Sequence, residues 1–236
     1  MVPKNSDCYK LCTMGGILAN VIVSFLSLYL FFLTGNYLLR YLFLCILVIG
    51  LITALANGYP SREQINDGYV YRAARKSEYT RQNRYCQLLV TKALMGGMSY
   101  RDMPEEWFDA DEGALPEPLA AYHMLLKYYR ALDTENIQKA HKCIMTLKEH
   151  LQSFPEEIQN DVYMEDFYLQ IIDGEQANQK DKYNKPDEEY IRKEPCLETF
   201  SYDTNLARIY LAYELFAGYL NDMEIQAECR EIAKDS

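Results

Sequence analysis

The chain has 236 residues and a formal net charge of -10, from 24 basic and 34 acidic side chains, and 49% of its residues are hydrophobic. The acid gathers beyond residue 101, which argues against a nucleic-acid partner because such a surface repels phosphate. Seven cysteines, an odd number without paired spacing, suit a reducing compartment and free thiols better than a disulfide framework.

Residues 1–13 form a lead-in, and residues 14–56 belong to a different solvent. No charge occurs from Ile17 to Leu33, and Arg40 is the only one from Tyr37 to Ala56. About 20 residues at about 1.5 Å rise cover a bilayer core of roughly 30 Å, so each run is long enough to cross it. Two buried helices of a soluble domain would need a larger core than the polar remainder offers. A cleaved leader is the other alternative, since Lys4 and Lys10 precede the first run and Ala54-Leu55-Ala56 has the look of a cleavage box. Two apolar runs far exceed the usual length of about 15 to 30 residues, so a transmembrane hairpin turning at Thr34-Gly35-Asn36 is expected. The basic residues Arg62, Arg72, Arg75, Lys76, Arg81 and Arg84 follow the second run, whereas the turn has none. That asymmetry predicts a multi-pass protein of the cell membrane with both termini cytoplasmic.

Residues 57–101 read as a basic juxtamembrane connector, with eight basic and three acidic residues, and residues 102–236 as an acidic cytoplasmic domain, with thirteen basic and thirty acidic. The connector is expected to lie against anionic lipid headgroups, each well-placed cation contributing about 1 kcal/mol. Asn57-Gly58-Tyr59-Pro60 stops the second apolar run, Asn66-Asp67-Gly68 makes another turn, and one helix is predicted from Tyr69 to Leu94, ended by Gly96-Gly97.

Helices follow one another beyond Pro104. Pro118–Leu132 carries Leu119, Tyr122, Leu125, Leu126 and Tyr129 at helical spacing, and Thr134–Phe154 carries Ile137, Ala140, Ile144, Leu147 and Leu151. Their short link implies an antiparallel pair. Pro155–Ile172, Asn205–Leu220 and Met223–Ala233 continue the series, and Asp173–Pro195 reads as a polar loop. Leu132 with Ile137-Gln138 recurs as Leu220 with Ile225-Gln226, a faint echo of stacked helix pairs. The fold class is therefore all-α: a transmembrane hairpin followed by a helical-hairpin, tetratricopeptide-like domain whose tyrosines line its core and grooves.

Two residues stand out as candidates for chemistry. Asn20, preceded by Gly15-Gly16, is an amide inside an apolar run, so it is expected to face protein, either packing helices or meeting a ligand. Asp67, in a turn directly after the second run, could reach the membrane interface, although spacing alone favours an Asx turn. Cys8 and Cys12 can share a helix face, but two thiols do not complete a tetrahedral zinc site.

Gly15-Gly16-Ile17-Leu18-Ala19-Asn20, Asn57-Gly58-Tyr59-Pro60 and Asn66-Asp67-Gly68 together resemble the back half of the site-2 proteases, the M50 family of intramembrane zinc metalloproteases. The likeness runs on through Asp102-Met103-Pro104-Glu105-Glu106-Trp107-Phe108, to a bacterial branch with a helical cytoplasmic tail found in Gram-positive anaerobes. It covers about the first half of the chain. It implies that Asp67 is the third zinc ligand and that Asn20 lies near the substrate-binding centre. The family's His-Glu-x-x-His helix, which supplies two zinc ligands and the water-activating glutamate, is missing. His123, His141 and His150 all fall in the distal domain, where surface or groove positions are expected, and no Ser or Cys nucleophile with a placed base is visible.

The leading expectation is thus the C-terminal part of a site-2-protease-like enzyme, inactive alone. It would bind zinc only when the missing segment is supplied, and would have a protease N-terminal half and transmembrane protein substrates as partners in the lipid bilayer. The alternative is a non-enzymatic, membrane-anchored adaptor whose helical domain binds a cytoplasmic protein.

Overall fold

The computed structural model describes residues 8–61, 63, 65–109, 112–176, 208, 209 and 212. Every regular element among them is helical: α1 (Cys8–Leu33), α2 (Tyr37–Gly58), α3 (Asp67–Lys76), α4 (Glu78–Met95), α5 (Pro118–Asp133), α6 (Ile137–Glu149) and α7 (Glu156–Gln176), with four short 3-10 turns between them. The chain divides into two compact units, Met1–Ile158 and Gln159–Ser236. The sequence expectations beyond Gln176, including the helices over 205–220 and 223–233 and the echo at Leu220, lie outside the described residues apart from three isolated positions.

Helices α1 and α2 are both long and apolar enough to cross a membrane, over Cys12–Leu33 and Tyr37–Gly58. Only 17% and 6% of their most apolar windows are buried, unlike the core helices of a soluble domain. Phe25, Phe32, Leu38, Ile52 and Leu55 all face outward. The turn is set by Asn36, whose Oδ1 accepts from the backbone N–H groups of Leu38 and Leu39 at 2.9 and 3.4 Å, satisfying two donors that the first turn of α2 leaves open.

The two helices meet along a narrow seam. Along one face of α1 run Thr13, Ile17, Ser24 and Ser27, all buried, with half-buried Asn20 in the same row, and Ile17, Asn20 and Ser24 of this row meet α2. This is a spacing of three and four that keeps one face of a helix together. Opposite lie small residues of α2: a β-carbon added to Gly50 would overlap Oγ of Ser24, and one added to Gly58 would touch Ile17 at 3.8 Å. Small residues let the backbones approach, and Ser24 hides its hydroxyl by donating to the Asn20 carbonyl at 2.7 Å.

The single helix expected from Tyr69 to Leu94 is in fact two, starting two residues earlier. Ser77 breaks it by turning extended, and its Oγ accepts from Thr80 N–H at 3.2 Å to cap α4. Likewise the helix expected over Thr134–Phe154 begins at Ile137, because Asn136 caps it through a 3.0 Å bond from Lys139 N–H, and it ends at Glu149 before a 3-10 turn. Helix α7 also runs to Gln176, past the expected loop start at Asp173.

Helices α5 and α6 pack as the predicted hairpin. Leu119, Met124, Leu125 and Tyr128 of one are buried together with Ala140, Ile144 and Leu147 of the other. The segment 100–108 straps α4 to α5: Met103 and Phe108 are buried with Val90, and Arg130 of α5 donates to the carbonyls of Tyr100 at 2.7 Å and Met103 at 2.6 Å while lying over the Phe108 ring. The four described cysteines with placed side chains, Cys12, Cys45, Cys86 and Cys143, carry free thiols, and burial pushes that of Cys86 up to about 11. In the second unit, buried Glu165 on α7 receives two bonds from Arg208, at 2.9 and 2.7 Å.

One histidine departs from expectation. His123 is buried in α5 rather than at a surface or groove, because it occupies the face of α5 that carries Leu119 and Met124. Its Nε2 donates to the Asp109 carbonyl at 3.1 Å, and burial lowers its pKa to about 4. A base whose folded pKa lies below its unfolded value near 6.5 loses stability as pH falls between the two, since only the unfolded chain gains the proton. Denaturation measured from about pH 7 to pH 4 is therefore expected to show a loss on the order of 3 kcal/mol, largely abolished in His123→Gln.

Candidate functional site

The segment between α2 and α3 begins with a deficit. Pro60 has no N–H, so the Ala56 carbonyl of α2 loses the donor that a continuing helix would supply four residues on. Asn66 replaces it: Nδ2 donates to the Ala56 carbonyl at 2.8 Å and to the Tyr59 carbonyl, while Oδ1 accepts from Ser61 N–H at 3.3 Å and Tyr69 N–H at 3.0 Å. One amide thus closes the C-terminus of α2 and caps the N-terminus of α3. Gly68 completes the joint, since a β-carbon there would overlap the Gly58 carbonyl, so the first turn of α3 rests directly on the last residue of α2.

This arrangement decides the status of Asp67. The Asx-type bonding that the sequence favoured for it is carried by Asn66, and Asp67 is instead the first residue of α3. Its half-buried carboxylate has no hydrogen bond or ion pair with any described residue. It is turned toward α1, where a β-carbon built on Gly16 would lie 3.9 Å from Oδ2. A carboxylate in the first turn of a helix also favours the helix dipole, worth about 0.3–1 kcal/mol at an exposed position.

Asn20 stands one helical turn further along α1 than Gly16, in the seam with α2, with its side-chain amide likewise unpartnered among the described residues. The structure therefore sets Asp67 of α3 against α1, the helix that carries Asn20, without joining the two in a hydrogen bond. Further buried polar groups, which the sequence reading did not single out as site candidates, lie on α1 and α4. Thr13 of α1 and Asn83 of α4 are buried with Oγ1 and Nδ2 unsatisfied. Arg84 turns inward, its Nε buried without a partner and its Nη1 donating to Gln87 Oε1 at 3.4 Å. Burial lowers the Arg84 pKa, and the negative charge of Asp67 opposes that shift. Helical spacing of Thr80, Asn83 and Gln87 on one face of α4 is the signal that marks this polar stripe.

Asp67 and Arg84 also border a cavity of about 440 Å³, whose other walls include Val70, Gln87, Thr91, Leu119, Tyr122, Leu126 and Glu157. Gln87 is fixed in it by donating to the Leu119 carbonyl at 3.0 Å. Asp102 and the residues after it, part of the resemblance noted above, make packing contacts instead: Asp102 accepts from Ser99 Oγ at 2.6 Å, and Met103 and Phe108 are core.

Among the described residues no group of three His, Cys, Asp or Glu side chains comes together to hold a metal ion. A single carboxylate does not complete a zinc site, which takes three or four protein ligands, so these residues do not make one by themselves. Searches against protein-family models, curated proteins and solved structures find no match to the chain.

The joint generates a direct expectation. Asn66→Asp keeps the acceptor but loses both Nδ2 donors, and Gly68→Ala forces α3 off Gly58. Each should lower stability by about 1–3 kcal/mol in denaturation of the detergent-solubilised protein. Gly15→Ala, where a β-carbon meets nothing within 4 Å, is the silent control.

Proposed function

We propose that the chain is the C-terminal part of a site-2-protease-like intramembrane metalloprotease, set in the cell membrane by α1 and α2 with both termini in the cytoplasm. The observation that supports this reading is the placement of Asp67: a neighbouring asparagine takes over the turn, and the carboxylate, with no hydrogen bond or ion pair from any described residue, stands beside the Gly15-Gly16 helix that also carries Asn20. Holding a half-buried carboxylate without a hydrogen-bond partner is unfavourable, which makes a waiting ligand a natural explanation. In this reading Asp67 contributes one oxygen ligand to a metal whose remaining ligands come from a His-Glu-x-x-His segment, and Asn20 binds the backbone of a transmembrane substrate. The chain by itself is inactive.

A second reading has one observation in its favour. The cavity beside α4 and α5, lined in part by Thr91, Tyr122 and Glu157, would suit a membrane-anchored adaptor that receives a protein partner. Purification from the native host separates the two. The protease reading expects a species above 27.5 kDa, or a complex containing the His-Glu-x-x-His segment, with bound zinc that falls at least tenfold in Asp67→Ala. A zinc-free native species of 27.5 kDa whose partner capture survives Asp67→Ala would contradict it and favour the adaptor.

A further inference from the structure

The basic stretch after α2 divides into two groups. Arg81 and Arg84 on α4 each have a buried Nε, and Arg81 also pairs with Glu78 at 3.8 Å. Arg72, Arg75 and Lys76 on α3 are exposed, stand at positions i, i+3 and i+4 on one face, and have no ion-pair partner among the described residues. That is unusual in a chain with 34 acidic and 24 basic residues, where Arg101 pairs with Asp133 at 3.3 Å and Lys139 with Glu105 at 3.4 Å. Cations at the end of α3 also suit its dipole, which accounts for Arg75 and Lys76 but not for Arg72 in mid-helix.

Position decides what these three cations meet. The first turn of α3 touches Gly58, the last residue of the apolar helix α2, and faces Gly16 of α1. With a rise of about 1.5 Å per residue, Arg72 lies no more than about 8 Å, and Lys76 no more than about 14 Å, from the level of Asp67, whichever way α3 points. The longer distance matches a headgroup layer of about 5–7 Å plus the Debye length of about 8 Å at physiological salt. We propose that Arg72, Arg75 and Lys76 form a docking face for the phosphates of anionic lipid headgroups, which fixes α3, and with it the Asp67 joint, against the bilayer surface. The inference needs α1 and α2 to lie in a bilayer and is independent of protease activity.

The test is lipid selectivity of the full chain reconstituted in vesicles, read with spin-labelled phosphatidylglycerol against spin-labelled phosphatidylcholine. The wild-type protein is expected to prefer phosphatidylglycerol about fivefold or more at low salt, the enrichment given by one fully effective cation. The preference should fade at about 1 M salt, where the Debye length is about 3 Å. The triple variant Arg72→Gln/Arg75→Gln/Lys76→Gln should bring it close to unity, while Arg72→Lys/Arg75→Lys and the inward-facing Arg84→Gln should keep it. A wild-type protein without preference, a preference indifferent to salt, or a triple variant that retains it would overturn the proposal. The salt series needs no variant, so it stands even if the triple variant fails to fold.

Discussion

A proline at position 60 strips one helix carbonyl of its donor, and the amide of Asn66 restores it from across the following loop. Because the same side chain caps α3, the end of α2 and the start of α3 cannot move independently. The flush contact of Gly68 on Gly58 removes the remaining freedom. The charged groups that follow the apolar hairpin take their place after this joint: Asp67 turns to α1, α3 exposes three cations with no ion-pair partner among the described residues, and α4 follows with Arg84 directed inward.

The polar groups in this region are arranged in an apolar setting where each is expensive to bury. Some are satisfied locally, as when Ser24 donates to the backbone of its own helix. Others have no partner among the described residues, notably the Asp67 carboxylate, the amides of Asn20 and Asn83, and the hydroxyl of Thr13. Two helices can associate in lipid through close packing alone, for which Gly50 and Gly58 suffice. Thr13 and Asn20 lie on the same face of α1 as the packed residues, yet no described residue satisfies their polar side-chain atoms.

The apolar hairpin and the α5–α6 pair were legible because their signals are long or periodic: two runs of bilayer length with Arg40 as their only charge, and apolar residues at spacings of three and four. Asn20 was legible as an anomaly within such a run. The division of the connector was not, because Ser77 differs from a tolerated helix-interior serine only by its extended backbone. The roles of Asn66 and Asp67 were exchanged for a related reason: both residues can make an Asx-type turn, and only the carbonyl stranded by Pro60, which needs a donor, selects the amide over the carboxylate. His123 shares a face of α5 with Leu119 and Met124, but its bond to the Asp109 carbonyl, which satisfies the buried ring, is one that spacing within α5 does not reveal.

The most direct measurement of this account is disulfide trapping between Gly16→Cys and Asp67→Cys in membranes, with Cys8 and Cys12 replaced by serine. If the Asn66 joint holds the start of α3 against α1, mild oxidation should cross-link the pair rapidly and nearly completely, and adding Asn66→Asp should slow the reaction markedly. A pair that cross-links no faster than a control with Gly35→Cys in place of Gly16→Cys, or a rate unaffected by Asn66→Asp, would contradict it.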